Sequence, residues 1–300
     1  MLRVRWLATS VTHVRIDLHT HSNVSDGTDS PTQVMRYAAA AGVDVVALTD
    51  HDTTDGWSAA VGALAPGLTL ISGAEISCAM ASTAGGEIDL HLLAYLFDPS
   101  EPQFAAERYA LTTDRERRAR AMVDKLMALG VPVTYSQVAL IAGDASSIGR
   151  PHIARALVDA GVVPDVASAF SDEWIGSNGR AYAGKYTLEA AAAVRSVLAA
   201  GGVPVFAHPG AAKRGPVVSD ADVAVLAAAG LAGIEVDHPD HTPADRVRLR
   251  ALAGELGLFI TGSSDDHGDI TGHRIGCETT GEAAYEELVA RATGVRPITG

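Results

Sequence analysis

Only two cysteines, Cys78 and Cys277, occur among the 300 residues. That is too few for a thiolate metal site or a disulfide framework, and both read as buried or half-buried thiols of a reducing compartment. Positive charge is also scarce: 23 Lys+Arg stand against 36 Asp+Glu, a formal net charge of −13. Sequence-independent grip on long duplex DNA needs a basic footprint, so that class of partner is excluded, whereas a local site for one phosphate at a time is not. Long apolar runs are missing too. The longest charge-free stretch, Gly56 to Ala74, is broken by Pro66, several glycines, Ser and Thr, so no membrane span is expected. Met1 to Thr12 has two arginines before a short apolar patch but neither a long apolar region nor a small-residue cleavage site, and reads as an irregular leader of a cytoplasmic protein. What the chain has in excess is histidine, eleven in all.

A composition of 47% hydrophobic and 20% charged residues can bury a large core. Seven short Val/Ile/Leu-rich runs read as strands: Val14 to Leu18, Asp44 to Leu48, Leu68 to Ile71, Ile88 to Phe97, Val203 to Phe206, Gly233 to Val236 and Leu258 to Thr261. Helix-like stretches lie between them. Pro31 to Ala41 has Ser30 as N-cap and Gly42 as stop; Thr187 to Ala200, Asp220 to Ala229 and Pro243 to Leu256 each end at glycine. Seven βα-like units without an obvious edge strand predict an α/β barrel around a parallel sheet. One segment breaks the rhythm. From about Pro99 to Arg180 there is a charged amphipathic helix, Phe104 to Leu129, and then shorter helices at Ser136 to Ile141, His152 to Ala160 and Pro164 to Phe170. The expected organisation is a discontinuous barrel, residues 1–98 and 183–300, with a helical insertion, 99–182, over its mouth.

The histidines collect with carboxylates at predicted strand ends. His19 and His21 are two apart, so on an extended chain their imidazoles point the same way, and Asp26 follows in a Ser25-Asp26-Gly27 turn that can fold a carboxylate back over them. The second strand ends in Thr49-Asp50-His51-Asp52, and the third in Ser72-Gly73-Ala74-Glu75. His91 lies in the fourth run, His208 follows the fifth, and Asp265-Asp266-His267 follows the seventh. In an α/β barrel the carboxyl ends of the strands form the active face. A single histidine after a strand is ordinarily structural, but six histidines and three carboxylates at one level are not. Imidazole plus carboxylate suits Zn, Mn or Fe, and nine ligands exceed one six-coordinate ion, so two or three metals are implied.

The blocks His19-Thr20-His21 with Ser25-Asp26-Gly27, Leu48-Thr49-Asp50-His51-Asp52, Glu75 after a glycine, Ala207-His208-Pro209 and Asp265-x-His267 resemble the ordered motifs of the PHP (polymerase and histidinol phosphatase) superfamily. The resemblance spans residues 14–98 and about 185–280. It implies a distorted seven-stranded barrel, (β/α)7, holding a di- or trinuclear centre that hydrolyses phosphate esters. Gly149-Arg150-Pro151-His152 and Asn178-Gly179-Arg180-Ala181-Tyr182 resemble the branch of nucleoside 3′,5′-bisphosphate phosphatases and a bacterial 5′-to-3′ exoribonuclease. Carried over, His19, His21, Glu75 and Asp265 would hold one metal, Asp26, His51 and His267 a second, and His91 and His208 a third, with Glu75 bridging. One departure stands out: Asp266 occupies a position that is usually aromatic.

The expected chemistry is in-line attack by a metal-bridging hydroxide, because coordination brings the pKa of water down to about 7, with no protein nucleophile. The expected substrate is a small nucleotide or short single-stranded, 5′-phosphorylated RNA. A histidinol-phosphate-type phosphatase is the alternative within the superfamily, and a non-catalytic metal-binding module the alternative outside it. Arg150 is the candidate for gripping substrate phosphate, and His241, after the sixth strand, is a candidate for touching substrate. His238 is expected only to cap its loop, His152 to orient Arg150 or serve the helix, and the arginines from Arg115 to Arg120 to form a solvated face of internal ion pairs.

Overall fold

The computed structural model describes residues 13–143 and 145–300, so the leader expected at residues 1–12 lies outside the described residues. Nine strands are found among them: β1 (Ile16–Asp17), β2 (Val45–Leu48), β3 (Thr69–Ala81), β4 (Glu87–Tyr95), β5 (Leu188–Glu189), β6 (Val203–Phe206), β7 (Gly233–Asp237), β8 (Phe259–Gly262) and β9 (Ile298–Thr299). They form one sheet whose path is β1-β2-β3-β4-β6-β7-β8, with β5 and β9 added onto β3. These seven path strands are the seven expected from the sequence. The two ends of the path approach each other, since Thr20 bridges Asp266 in parallel and the His21 N–H donates to the Asp266 carbonyl at 2.9 Å. The result is a nearly closed, distorted barrel.

The distortion corrects one expectation. β3 and β4 are antiparallel from Gly73 opposite Tyr95 to Ala81 opposite Glu87, and β4 is also antiparallel to β6. Strand β4 therefore runs against its neighbours, and β3 continues far beyond Ile71. Ser72-Gly73 looked like a strand end, but glycine is there for another reason: a Cβ on Gly73 would lie 3.0 Å from the Ala94 carbonyl oxygen of β4. The reversal is made at Gly85 and Gly86, both at positive φ, a conformation that glycine adopts without steric penalty. Glu75 and His91 consequently project from the middle of long strands, not from carboxyl ends.

Helices α1 (Pro31–Ala40), α2 (Trp57–Val61), α7 (Ala190–Ala199), α8 (Asp220–Ala229), α9 (Pro243–Leu256) and α10 (Glu282–Arg291) surround the sheet, while α3 (Pro102–Ala128), α4 (Tyr135–Ala142), α5 (Arg150–Asp159) and α6 (Val166–Ala169) lie in the inserted stretch. Ser30 closes a capping box with Gln33 at the start of α1, as its sequence predicts. Ile76, Leu92, Val194, Phe206 and Ile234 belong to the main hydrophobic cluster. Met122, Val123, Leu126, Ile153 and Leu157 belong to a second cluster, drawn from the inserted helices. Helix α3 serves both: Phe104 and Leu111 pack into the barrel cluster, and its second half into the other. Each such side chain removed from water contributes about 1.5–3 kcal/mol, so α3 ties the two clusters together.

Candidate active site

The two residues following β1 on the same side, His19 and His21, are fully buried. Asp17 anchors the strand tip by accepting from the backbone N–H groups of Ser264 (3.0 Å) and Gly276 (2.7 Å). The His19 and His21 Nε2 atoms face each other at 2.9 Å. Glu75 Oε2 lies 3.2 and 3.1 Å from them, and Asp265 Oδ1 3.3 Å from each. Two imidazole nitrogens and two carboxylate oxygens thus converge on one point. Ligands about 2.1 Å from a shared ion stand about 3.0–3.4 Å apart, so this spacing fits a cation between them. Burial alone would lower the His21 pKa, yet hydrogen bonds to Asp265 and Glu75 lift it to about 10. His19 is raised well above its ordinary value by Asp265, Glu75 and Glu235 despite the same burial. The field at this point favours positive charge.

Two further groups adjoin it. Asp26 Oδ2 lies 3.6 Å from His51 Nε2, and its Oδ1 lies 3.4 Å from His267 Nε2 and 3.9 Å from His21 Nδ1. Glu75 Oε1 stands 2.7 Å from His91 Nδ1 and 2.8 Å from His208 Nε2, while its Oε2 is 3.3 Å from His51 Nδ1. The His21 and His51 Nδ1 atoms are buried without a hydrogen-bond partner, a costly state in a protein interior that a metal ion relieves. Donor groups able to hold metal are accordingly His19-His21-Glu75-Asp265, His21-Asp26-His51-His267 and His51-Glu75-His91. Eight of the nine residues expected as ligands make up these groups, and the ninth, His208, adjoins them through Glu75. The grouping is more shared than the resemblance implied, with His21 and His51 each facing two groups and Glu75 in contact with five histidines.

Several supporting residues escaped the sequence reading. Asp50 accepts from the Ser22 N–H (2.8 Å) and from the Ser22 and Ser25 hydroxyls (both 2.7 Å), pinning the turn that carries Asp26. Asp52, with φ of 60°, accepts from the Ser77 N–H at 2.7 Å and pairs with the Arg115 guanidinium at 2.5 Å. Alternation of Asp50 and Asp52 about His51 was the available signal. Glu235 and His238 are both fully buried and touch His19 and Asp265 respectively, so His238 does more than cap its loop.

The arginine stretch needs correcting. Arg117 and Arg120 do form exposed ion pairs with Asp114 and Glu116. Arg115 and Arg118, three apart and so on one face of α3, turn toward the barrel instead. With Arg150 and Lys185 they line a cavity of about 190 Å³ whose other wall includes Asp26, His51, His91 and His267. A second cavity, of about 450 Å³, shares His91, Arg150, Phe170 and Lys185 and continues along Phe206, Pro209 and Lys213. The Arg150 guanidinium lies over the Phe170 ring, 5.2 Å from its centroid. His241 does not face either cavity. Its Nδ1–H donates to the Val236 carbonyl (2.9 Å) and its Nε2 accepts from the Gly210 N–H (3.0 Å), so both ring nitrogens serve the backbone. Asp266 accepts from the N–H groups of Gly268 (3.1 Å) and Arg274 (2.7 Å) and from the Thr271 hydroxyl (2.9 Å); it organises its own turn. Cys277 is exposed, unlike Cys78.

The PHP domain family model matches residues 17–142. Over 260 residues the chain is 34% identical to the 3′,5′-nucleoside bisphosphate phosphatase of Chromobacterium violaceum, covering 86% of this chain and 89% of that one. The chain belongs to the PHP domain family. A relative from Haemophilus influenzae, a 5′-3′ exoribonuclease, is 35% identical over 196 residues, 65% of this chain and 69% of its own. The crystal structure of a Bifidobacterium adolescentis protein classed as a metal-dependent phosphoesterase superposes with a TM-score of 0.85 at 33% identity, covering 93% of this chain and 96% of that one. This PHP protein is a metal-dependent phosphoesterase whose His/Asp/Glu cluster can bind metal. Among the described residues no helix is long and apolar enough to cross a membrane.

Proposed function

We propose that this enzyme hydrolyses the phosphate ester of a small nucleotide that carries a second phosphate, such as a nucleoside 3′,5′-bisphosphate. The observation that carries this reading is the cationic recess: in a chain of net charge −13, Arg115, Arg118, Arg150 and Lys185 line one small cavity directly against Asp26, His51, His91 and His267. Four cations beside the donor cluster suit a phosphate held next to the one being cleaved. Two or three divalent ions, Mn, Zn or Fe, would be held by the three donor groups, with His208 beside Glu75 in the third. When bound they supply Lewis-acid polarisation and a water of lowered pKa.

The chain's own residues do the rest. Arg150 offers its planar guanidinium to phosphate oxygens, backed by the Phe170 ring. The serines near the site are occupied elsewhere: the Ser263 hydroxyl donates to Glu235 and that of Ser264 points to the His19 carbonyl, so neither stands ready as a nucleophile. The stretch 99–182 acts as a cover that excludes water. It is tied to the ligand loops by Arg155, donating to the Asp26 carbonyl at 2.8 Å, by the Ser147 N–H, donating to the Val24 carbonyl at 3.2 Å, and by the Arg115–Asp52 pair.

A second reading, cleavage at the end of a short 5′-phosphorylated RNA, is favoured by the 450 Å³ cavity, whose exposed Phe170 offers an apolar face to a base next to the cluster. Phosphate release from the metal-reconstituted protein should be compared for a nucleoside 3′,5′-bisphosphate, a 5′-phosphorylated oligoribonucleotide and histidinol phosphate. The bisphosphate is expected to give the highest kcat/KM. Preference for histidinol phosphate would refute the proposal, and preference for the oligonucleotide would favour the second reading.

A further inference from the structure

We infer that the tip of β7 is the orienting frame of the metal cage: Glu235 and His238 fix His19, His208 and Asp265, candidate ligands that arrive from three other strands. This rests on the cluster being a metal centre, not on which substrate it cleaves. Strand β7 contributes none of the nine candidate ligands, yet it places two fully buried polar side chains behind them.

Glu235 acts through both oxygens. Its Oε1 lies 3.2 Å from His19 Nδ1. A carboxylate can only accept, so the ring proton is placed on Nδ1 and the Nε2 lone pair is turned toward His21, Glu75 and Asp265. Its Oε2 accepts the His208 N–H at 2.7 Å. That contact matters because His208 has φ of 31°, a left-handed conformation that costs a non-glycine residue energy and persists only when its surroundings impose it. Held this way, His208 delivers Nε2 to Glu75 Oε1 at 2.8 Å.

His238 does the same for Asp265. The Asp240 N–H donates to His238 Nδ1 at 3.0 Å, which requires that nitrogen to be bare and puts the proton on Nε2. This atom in turn lies 3.3 Å from Asp265 Oδ2, leaving Oδ1 toward His19 and His21. Asp265 also has a left-handed backbone, φ 49°. The two candidate ligands with positive φ are thus both restrained from β7. Glu235 and His238 are positioning residues, and partners of this kind typically change metal affinity by about 10–100-fold when removed.

The test uses the full-length protein reconstituted with Mn. Metal affinity is measured by competition with a fluorescent chelator for the wild type, Glu235→Gln, His238→Gln and the ligand variant His19→Ala, with kcat and KM for the phosphate ester alongside. Glutamine keeps the size of Glu235 but only one acceptor, so either His19 or His208 loses its restraint. The expected result is Mn binding weakened about 10–100-fold in both β7 variants, with kcat lowered and KM changed less than about threefold. Mn affinity within twofold of wild type in both variants would overturn the inference. A wild type that binds no Mn, Zn or Fe would instead overturn the cage itself, and the inference with it. Should the variants fail to fold, the histidine ¹⁵N spectrum of the Zn-loaded wild type decides. A His19 ring protonated at Nδ1 and bound through Nε2 supports the frame, and one bound through Nδ1 refutes it.

Discussion

His152 offers a test of how the inserted helices present Arg150. The ring is buried at the start of α5, and its Nδ1 accepts the Gly149 N–H at 3.0 Å. Burial, aided by the positive charge of Arg155 and opposed in part by Asp26, pushes its pKa down to about 4. The native state therefore keeps the imidazole neutral where the unfolded chain, with an ordinary value of about 6.5, takes up a proton. Between these two values the unfolded state binds more protons, so the contribution is fully present above pH 6.5 and is lost as pH falls toward 4. Integrating the two titrations gives a loss of about 2.5 kcal/mol by pH 4.5. His152→Gln isolates it, because a glutamine oxygen can accept the same Gly149 N–H as the third residue of a capping box and does not titrate. Urea unfolding of both proteins at pH 7.0 and 4.5 supplies the assay. Losses shared by the two, from the histidine cage and from any bound metal, cancel in the double difference, which should leave the wild type about 2.5 kcal/mol more acid-sensitive. A double difference below about 0.5 kcal/mol, the scatter of ordinary surface substitutions, would mean that the ring is not held neutral and does not fix the turn before Arg150.

Four more outcomes follow from the site. Glu75→Gln removes the charge that five histidines share, and should cost bound metal by elemental analysis and lower phosphate release by at least about 10³-fold. Asp26→Asn and His51→Ala should each abolish phosphate release with an unchanged circular dichroism spectrum; activity that survived both would exclude attack from this cluster. Arg115→Met leaves Asp52 buried without its cation, and denaturant unfolding should report about 3 kcal/mol of lost stability together with a raised KM for a bisphosphate; unchanged unfolding would show that the pair is solvent-screened. His241→Gln should leave kcat and KM within about twofold while costing about 1 kcal/mol of stability through its backbone hydrogen bonds, and a tenfold higher KM would return His241 to the substrate site.

The candidate ligands were legible because local pattern produces them. His19 and His21 share a direction through strand alternation alone, and Asp26 returns through a turn written into Ser25-Asp26-Gly27. The seven path strands were legible for the same reason. The reversal of β4 was not, since parallel and antiparallel strands alternate alike, and only the closeness of Gly73 to Ala94 and the two glycines at Gly85 and Gly86 betray it. Arg115 and Arg118 were misread because helical periodicity says which residues share a face but not what that face meets. Glu235 and His238 lie further still from local logic: Glu235 acts on His19 across 216 positions of sequence, and a charge inside a strand carries no mark of its distant partner. The two classes differ in kind. A donor set can be spelled in short motifs, because each ligand needs only to reach a common point. The orientation of those donors depends on closure of the barrel, which brings β7 behind β1 and joins Thr20 to Asp266. Closure is also what buries Glu75 and Asp265 among histidines and makes a chain of net negative charge able to concentrate positive charge where the proposed phosphate would sit.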